Sequence, residues 1–321
     1  MSDPEQQQQE QQREQEQEQS LARIEQGGIP LSAERRLSEL RGAPRQDGVV
    51  GGAGSFTSDL SVSGFALCHK LGLTPLSQVM GSSIYQMGYQ SSWGSMGYGG
   101  AVLFELDSLS QALNEVRGRA LVRLGEEAHH VGADAVVGVQ TRAGESQLDT
   151  GTLALEYVVV GTAVRREGAH AKHPVLTELS VAEYAMLLQG GFEPLGIVAH
   201  SAVFFTSYVF GGMIAGGGAL TMGVQSFELR EFSQAIYSAR EAVMQQIAGQ
   251  ASSLGAAGVV GMKIDHSVRP HTLSGGMGMG GGLGGRELRG MMVTFTAVGT
   301  AIQQHGEVTV KAPKPVVDLF T

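Results

Sequence analysis

The chain contains the same domain twice, and this duplication constrains its fold more than any other feature. Leu60-Ser61-Val62 returns as Leu179-Ser180-Val181, and Pro75-Leu76 returns at the same offset as Pro194-Leu195. Ser110-Gln111-Ala112 matches Ser233-Gln234-Ala235, and Arg117 matches Arg240. Gly132-Ala133-Asp134-Ala135-Val136-Val137-Gly138 matches Gly255-Ala256-Ala257-Gly258-Val259-Val260-Gly261. Each copy closes on Gly-Thr-Ala, at Gly161–Ala163 and Gly299–Ala301. A duplicated chain carries its own control, because a ligand set that the fold requires should appear in both copies.

The periodicity within each copy predicts an α+β domain with the order short helix, strand, long helix, β-hairpin. In copy two, Ser180 and Glu183 form a capping box ahead of a helix whose apolar face is Val181, Tyr184, Ala185 and Leu188. Gly190-Gly191 ends it. Strands follow at Leu76–Ile84 and Leu195–Phe205. Leu109, Leu113, Val116, Ala120, Leu124 and Ala128 then recur at spacings of three and four, as do Ile236, Ala239, Val243, Ile247 and Ala251. Gly132 and Gly255 sit where a C-cap glycine belongs. The closing strands are Leu153–Val164 and Met291–Ile302, rich in Val, Thr, Tyr and Phe. The repeat offset grows from 123 at the long helix to 138 at Gly-Thr-Ala, so copy two holds 15 more residues in its hairpin, including Gly275–Gly280.

The domain boundaries follow. Residues 1–58 comprise a Gln/Glu-rich tail expected to be disordered, a short helical hairpin around Gly27-Gly28-Ile29-Pro30, and a glycine-rich linker. Copy one is 59–166, a linker is 167–178, copy two is 179–305 and a tail is 306–321. Net charge is −9, but the first 19 residues carry Asp3, Glu5, Glu10, Glu14, Glu16 and Glu18 against Arg13 alone. The folded part is only mildly acidic and offers no basic surface for nucleic acid. A single cysteine, Cys68, excludes a disulfide framework, and the N-terminus lacks a secretory pattern. Both point to the cytoplasm. Leu71–Phe104 and Pro194–Phe227 lack Asp, Glu, Lys and Arg, but glycines and polar residues interrupt them, which argues against a membrane span.

A helix ending in Gly-Ala-x-Ala-Val-Val-Gly, a variable hairpin and a strand ending Gly-Thr-Ala-Val resemble the YbjQ-like bacterial family. The resemblance covers roughly 60–165 and 180–304, closely in copy one and more loosely in copy two, where Gly258 replaces the usual alanine. It implies a small α/β domain, assembly into rings of five and an unestablished function under a heavy-metal-binding label.

That label has to be weighed against the residues. Metal sites need two to four converging Cys, His, Asp or Glu side chains. Cys68-His69 are adjacent on a helix, so they diverge by about 100°, and copy two has Leu187-Leu188 there. His129-His130 become Ser252-Ser253, which reads as a polar helix end. His170 and His173 lie in the linker. His266 and His271 flank Arg269-Pro270 in an expected loop and, with Met277 and Met279, form the candidate set for a transition metal; imidazole with thioether suits copper(I). Asp149-Thr150-Gly151 has no second copy and reads as a turn. No nucleophile elbow or P-loop is present. Tyr85, Tyr89, Trp93 and Tyr98, set among Gly, Ser, Gln and Met, are the candidate partner-binding aromatics.

The leading reading is a non-enzymatic, self-assembling binding or scaffold protein, with the N-terminal region tethering an unidentified protein partner. The alternatives are a metal-binding or metal-responsive protein and an enzyme on a small molecule. Whole two-domain chains cannot close a single ring of five domains. Five chains could stack a ring of first copies on a ring of second copies, or three chains could alternate the copies around one ring. Divergence between the copies favours stacking.

Overall fold

The computed structural model describes residues 4–42, 57–87, 103–147, 153–168, 172–207, 228–274 and 287–306. Two helices form the N-terminal hairpin, α1 (Pro4–Glu25) and α2 (Leu31–Gly42). Copy one comprises α3 (Val62–Lys70), β1 (Leu73–Met87), β2 (Leu103–Glu105), α4 (Asp107–His130), β3 (Ala135–Gln147) and β4 (Leu153–Arg166). After β5 (Val175–Leu176), copy two comprises α5 (Val181–Gln189), β6 (Phe192–Ser207), α6 (Arg230–Ser253), β7 (Gly258–Ser274) and β8 (Glu287–Gln304). The predicted order holds in both copies.

The duplication extends to single residues. Both long helices have 24 residues and begin and end 123 positions apart. The β1–β4 register shifts between Pro75 and Ser77, and the β6–β8 register between Pro194 and Gly196. β3–β4 shifts between Val137 and Gln140, and β7–β8 between Val260 and Lys263. Gly132 and Gly255 take φ of 72° and 69° just past their helices, a left-handed turn that a Cβ would strain. The Ser180–Glu183 capping box is present, and its hydrogen bonds to Ser180 hold the Glu183 carboxyl below the usual range.

Each copy packs its long helix on one face of a four-stranded sheet, antiparallel except where β5 joins β3. Val116, Ala120, Leu124 and Ala128 of α4 meet Val79, Leu155 and Val159; Ala239, Val243 and Ile247 of α6 meet Val198, Phe295 and Ala297. The helix sits so close at Gly81 that an added Cβ would lie 1.9 Å from the Ala120 carbonyl oxygen.

Several elements differ from the sequence reading. The longer hairpin of copy two is partly strand: β7 has 17 residues against 13 in β3, and β8 has 18 against 14 in β4. His266 and His271 therefore lie on β7 rather than in a loop, paired with Phe295 and Gly290. Tyr85, a candidate partner-binding aromatic, is a half-buried β1 residue packed against the first core. The polar N-terminus enters α1, but residues 10–19 are exposed throughout, so that stretch adds nothing to the core and is marginal as a helix by itself. The hairpin beyond it docks: Ile29 and Leu37 are buried in the first core, and Arg123 of α4 donates to the carbonyls of Ile24 at 2.8 Å and Gly28 at 3.2 Å.

Candidate functional site

Two small sheets from consecutive copies could sit apart on a linker. Here they are joined, and the sequence around α4 explains how. Leu106, the residue before α4, has no side chain that can cap the helix. Its N–H donates to the Val203 carbonyl of β6 at 2.7 Å, and the Val203 N–H donates to Ser110 Oγ at 2.9 Å. β2 extends the contact as an antiparallel edge strand, Leu103 opposite Thr206 and Glu105 opposite Phe204. Ser110, Asn114 and Arg117 follow at helical spacing and share one face. The Asn114 amide donates to the Ser201 carbonyl at 2.8 Å, and its Oδ1 accepts from the Ser201 N–H at 2.9 Å. Arg117, only 4% exposed, donates to Tyr157 Oη at 3.1 Å, to Asn114 Oδ1 at 2.8 Å and to Ser201 Oγ. A buried guanidinium held by neutral oxygens is tolerable only while each bond is made, so this lock specifies one arrangement of the copies.

A second layer of the joint is apolar. α3 of copy one and α5 of copy two share a core with Cys68, Val137, Val164, Leu179, Val181 and Tyr184, with Leu67 packed against it. Cys68 is fully buried, and burial pushes its thiol up to about 11. It stays protonated at neutral pH, which suits neither metal ligation nor nucleophilic attack.

Each copy is entered through the same hydroxyl contact. Thr177 Oγ1 lies 3.0 Å from Thr300 Oγ1 and accepts from the Leu179 N–H at 3.1 Å. Ser58 Oγ lies 3.2 Å from Thr162 Oγ1 and accepts from the Leu60 N–H at 3.0 Å. The next residue is acidic in both copies. Asp59 accepts from Gln140 at 2.9 Å, whereas Glu178 is buried 3.9 Å from Lys263. Burial raises the Glu178 carboxyl, and Lys263 and Arg117 pull it partly back.

Between the hairpin, α4 and the start of β6 lies an open groove of about 1040 Å³. Ile29, Leu121, Val122, Leu195, Ile197 and Leu254 make its wall apolar. His129, His130 and His173 stand at one end, with the His129 and His173 rings 6.4 Å apart. In sequence these histidines belong to a helix end and to a linker. The structure brings them together because β5 pairs with β3 and lays the linker beside the end of α4. No local spacing could have signalled it. Among the described residues, the groups whose proton affinity shifts, Cys68, Arg123, Glu127, Glu178, Glu183, Tyr184 and His200, all lie outside the groove lining.

A family model described as "Putative heavy-metal-binding", the YbjQ family, matches residues 96–167 and 193–304. The chain belongs to this family, in two tandem copies. It is also similar to the encapsulin nanocompartment protein Rv1762c of Mycobacterium tuberculosis, at 36% identity over 214 residues, 65% of this chain and 77% of that protein. No solved structure matches it.

The family description invites a heavy metal, and the described residues do not fit one. Among them, no three His, Cys, Asp or Glu side chains converge as ligands. His266 and His271 are five apart on one strand, so alternation sends them to opposite faces of the sheet. Met277 and Met279 lie outside the described residues, as do His170, Tyr89, Trp93 and Tyr98. Among the described residues, no helix is long and apolar enough to cross a membrane.

Proposed function

We propose that this protein is a non-enzymatic scaffold that assembles from copies of itself. The joint between its two copies carries the reading. This domain already recognises its like, through a helix face and edge strand on one side and an open sheet edge on the other. The Mycobacterium tuberculosis relative, named as a nanocompartment protein, supports a role in assembly. The joint is lateral, sheet edge to helix, which favours copies alternating around one ring over separate stacked rings of first and second copies. In this reading the exposed polar stretch of α1 is a tether for a protein partner. Light scattering tests the assembly: a mass of several 33.7 kDa chains is expected, near three for the alternating ring. A mass of one chain at micromolar concentration would exclude self-assembly.

A further inference from the structure

The joint inside one chain uses one side of copy one and the opposite side of copy two. The two remaining sides carry the same design with no other copy against them; there Ser233 donates to Glu228 and Arg240 pairs with Glu241. On copy one, the edge of β1 matches the edge of β6, so that Ser82 stands in the place of Ser201 and Ile84 in that of Val203. On copy two, the α6 face matches α4, so that Leu229, Ser233, Tyr237 and Arg240 stand in the places of Leu106, Ser110, Asn114 and Arg117.

Exposure separates the paired surfaces from the unpaired ones. Val203 is fully buried in the joint, whereas Ile84 is 72% exposed. Val181 is 2% exposed, whereas its counterpart Val62 is 89% exposed. Leu67 packs in the shared α3–α5 core, whereas its counterpart Met186 is 59% exposed. Tyr237, at the Asn114 position, is 63% exposed. Large apolar side chains left in water on two opposite sides, each at a position buried or half-buried in the internal joint, mark a surface built to be covered.

We infer that a second copy of this chain covers it, head to tail: α5 and α6 of one molecule dock on α3 and the β1 edge of the next, repeating the internal joint. This rests on the self-assembly reading and names its surfaces. The Leu229 N–H takes the Ile84 carbonyl, Ser233 Oγ takes the Ile84 N–H and Arg240 reaches Ser82 Oγ. Met186 meets Val62. One departure from the internal joint is itself informative. Asn114 serves the Ser201 carbonyl, but the matching Ser82 carbonyl already accepts from Arg123 within its own chain. At the Asn114 position the chain carries Tyr237, whose ring is set to pack on the exposed Met80 and Ile84 of the next molecule rather than to bond that carbonyl. Arg240 also has no tyrosine hydroxyl at home, because Phe295 replaces Tyr157. Because the two faces differ, the contact is heterologous: it closes into a ring if the rotation per chain allows and otherwise grows as a filament.

Two exposed substitutions test this by light scattering, with circular dichroism melting to confirm that each variant folds. Ile84→Lys spoils only the head and Tyr237→Glu only the tail. Each variant alone should fall to the mass of one chain. Mixed in equal amounts, they should form two-chain complexes and nothing larger, since each supplies the face the other lacks. Variants that keep the wild-type mass would overturn the choice of faces. So would disassembly by only one of the two substitutions, or a mixture that stays as single chains. A wild-type protein of one chain would instead remove the self-assembly reading on which the inference rests.

Discussion

Glu127 and Gln250 occupy the same place in the two copies and do the same work with different charge. The Met80 N–H donates to Glu127 Oε2 at 2.8 Å, and the Ala199 N–H donates to Gln250 Oε1 at 3.0 Å. Gln250 also donates to the Ala199 carbonyl at 3.1 Å. Burial raises the Glu127 carboxyl above its ordinary range, against the opposing pull of the Met80 N–H, Arg36 and His130. A carboxyl whose folded pKa exceeds its unfolded value binds more protons when folded. Its contribution to stability is therefore fullest at low pH and is lost as pH rises from the ordinary carboxylate range through the folded value. Glu127→Gln should raise the melting midpoint at pH 7 by about 2–4 °C, on the scale of ~1 kcal/mol, and the gain should vanish towards pH 4. A difference between variant and wild type that does not change with pH would refute this account. Cys68 offers a second test. Cys68→Ala should cost on the order of 1 kcal/mol as a small core truncation, and Cys68→Ser more, because a hydroxyl loses water on burial among apolar side chains. Urea titration reads both.

The contact of α4 with β1 is the tightest test at the scale of elements. Gly81→Ala would place a methyl 1.9 Å from the Ala120 carbonyl oxygen and 2.7 Å from the Leu124 nitrogen. Both are backbone atoms of a helix, so the whole element must shift. A loss of about 1–3 kcal/mol is expected, the usual scale of overpacking, and an unchanged melting curve would show that α4 sits farther from the sheet. The hairpin gives an independent case. Leu37 is fully buried against copy one, so Leu37→Asp should release residues 20–42 without unfolding the body. Hydrogen exchange would show protection lost in that segment alone; loss across α4 as well would make the hairpin part of the domain.

The whole molecule should behave as one cooperative unit, although it is made of two repeats. The α3–α5 core, the β2–β6 pairing and the Arg117 lock all cross between copies. Urea unfolding of the wild type should therefore show one transition. Asn114→Ala with Arg117→Ala removes the side-chain lock and should split it into two. Two transitions in the wild type would mean that the joint is too weak to couple the copies.

Some of this was legible in the sequence for a definite reason. Helix and strand periods, the Ser180–Glu183 capping box and the left-handed glycines Gly132 and Gly255 are local: the residues that specify them are neighbours along the chain. Duplication made those signals firmer by stating each twice. The strand lengths of the second hairpin were not legible, because whether the residues from His266 to Ser274 pair or loop depends on their partner strand. Nor was the placement of Tyr85 in a packed strand, or the meeting of His129 with His173. Those positions depend on which sheet edge a linker joins, a choice made by pairing between residues far apart in sequence. The sequence by itself determined two α+β copies and the order of elements in each. Only the tertiary structure decided that they join side by side, with Asn114 and Arg117 reaching β6, since a helix face and a sheet edge become complementary only when both have been built.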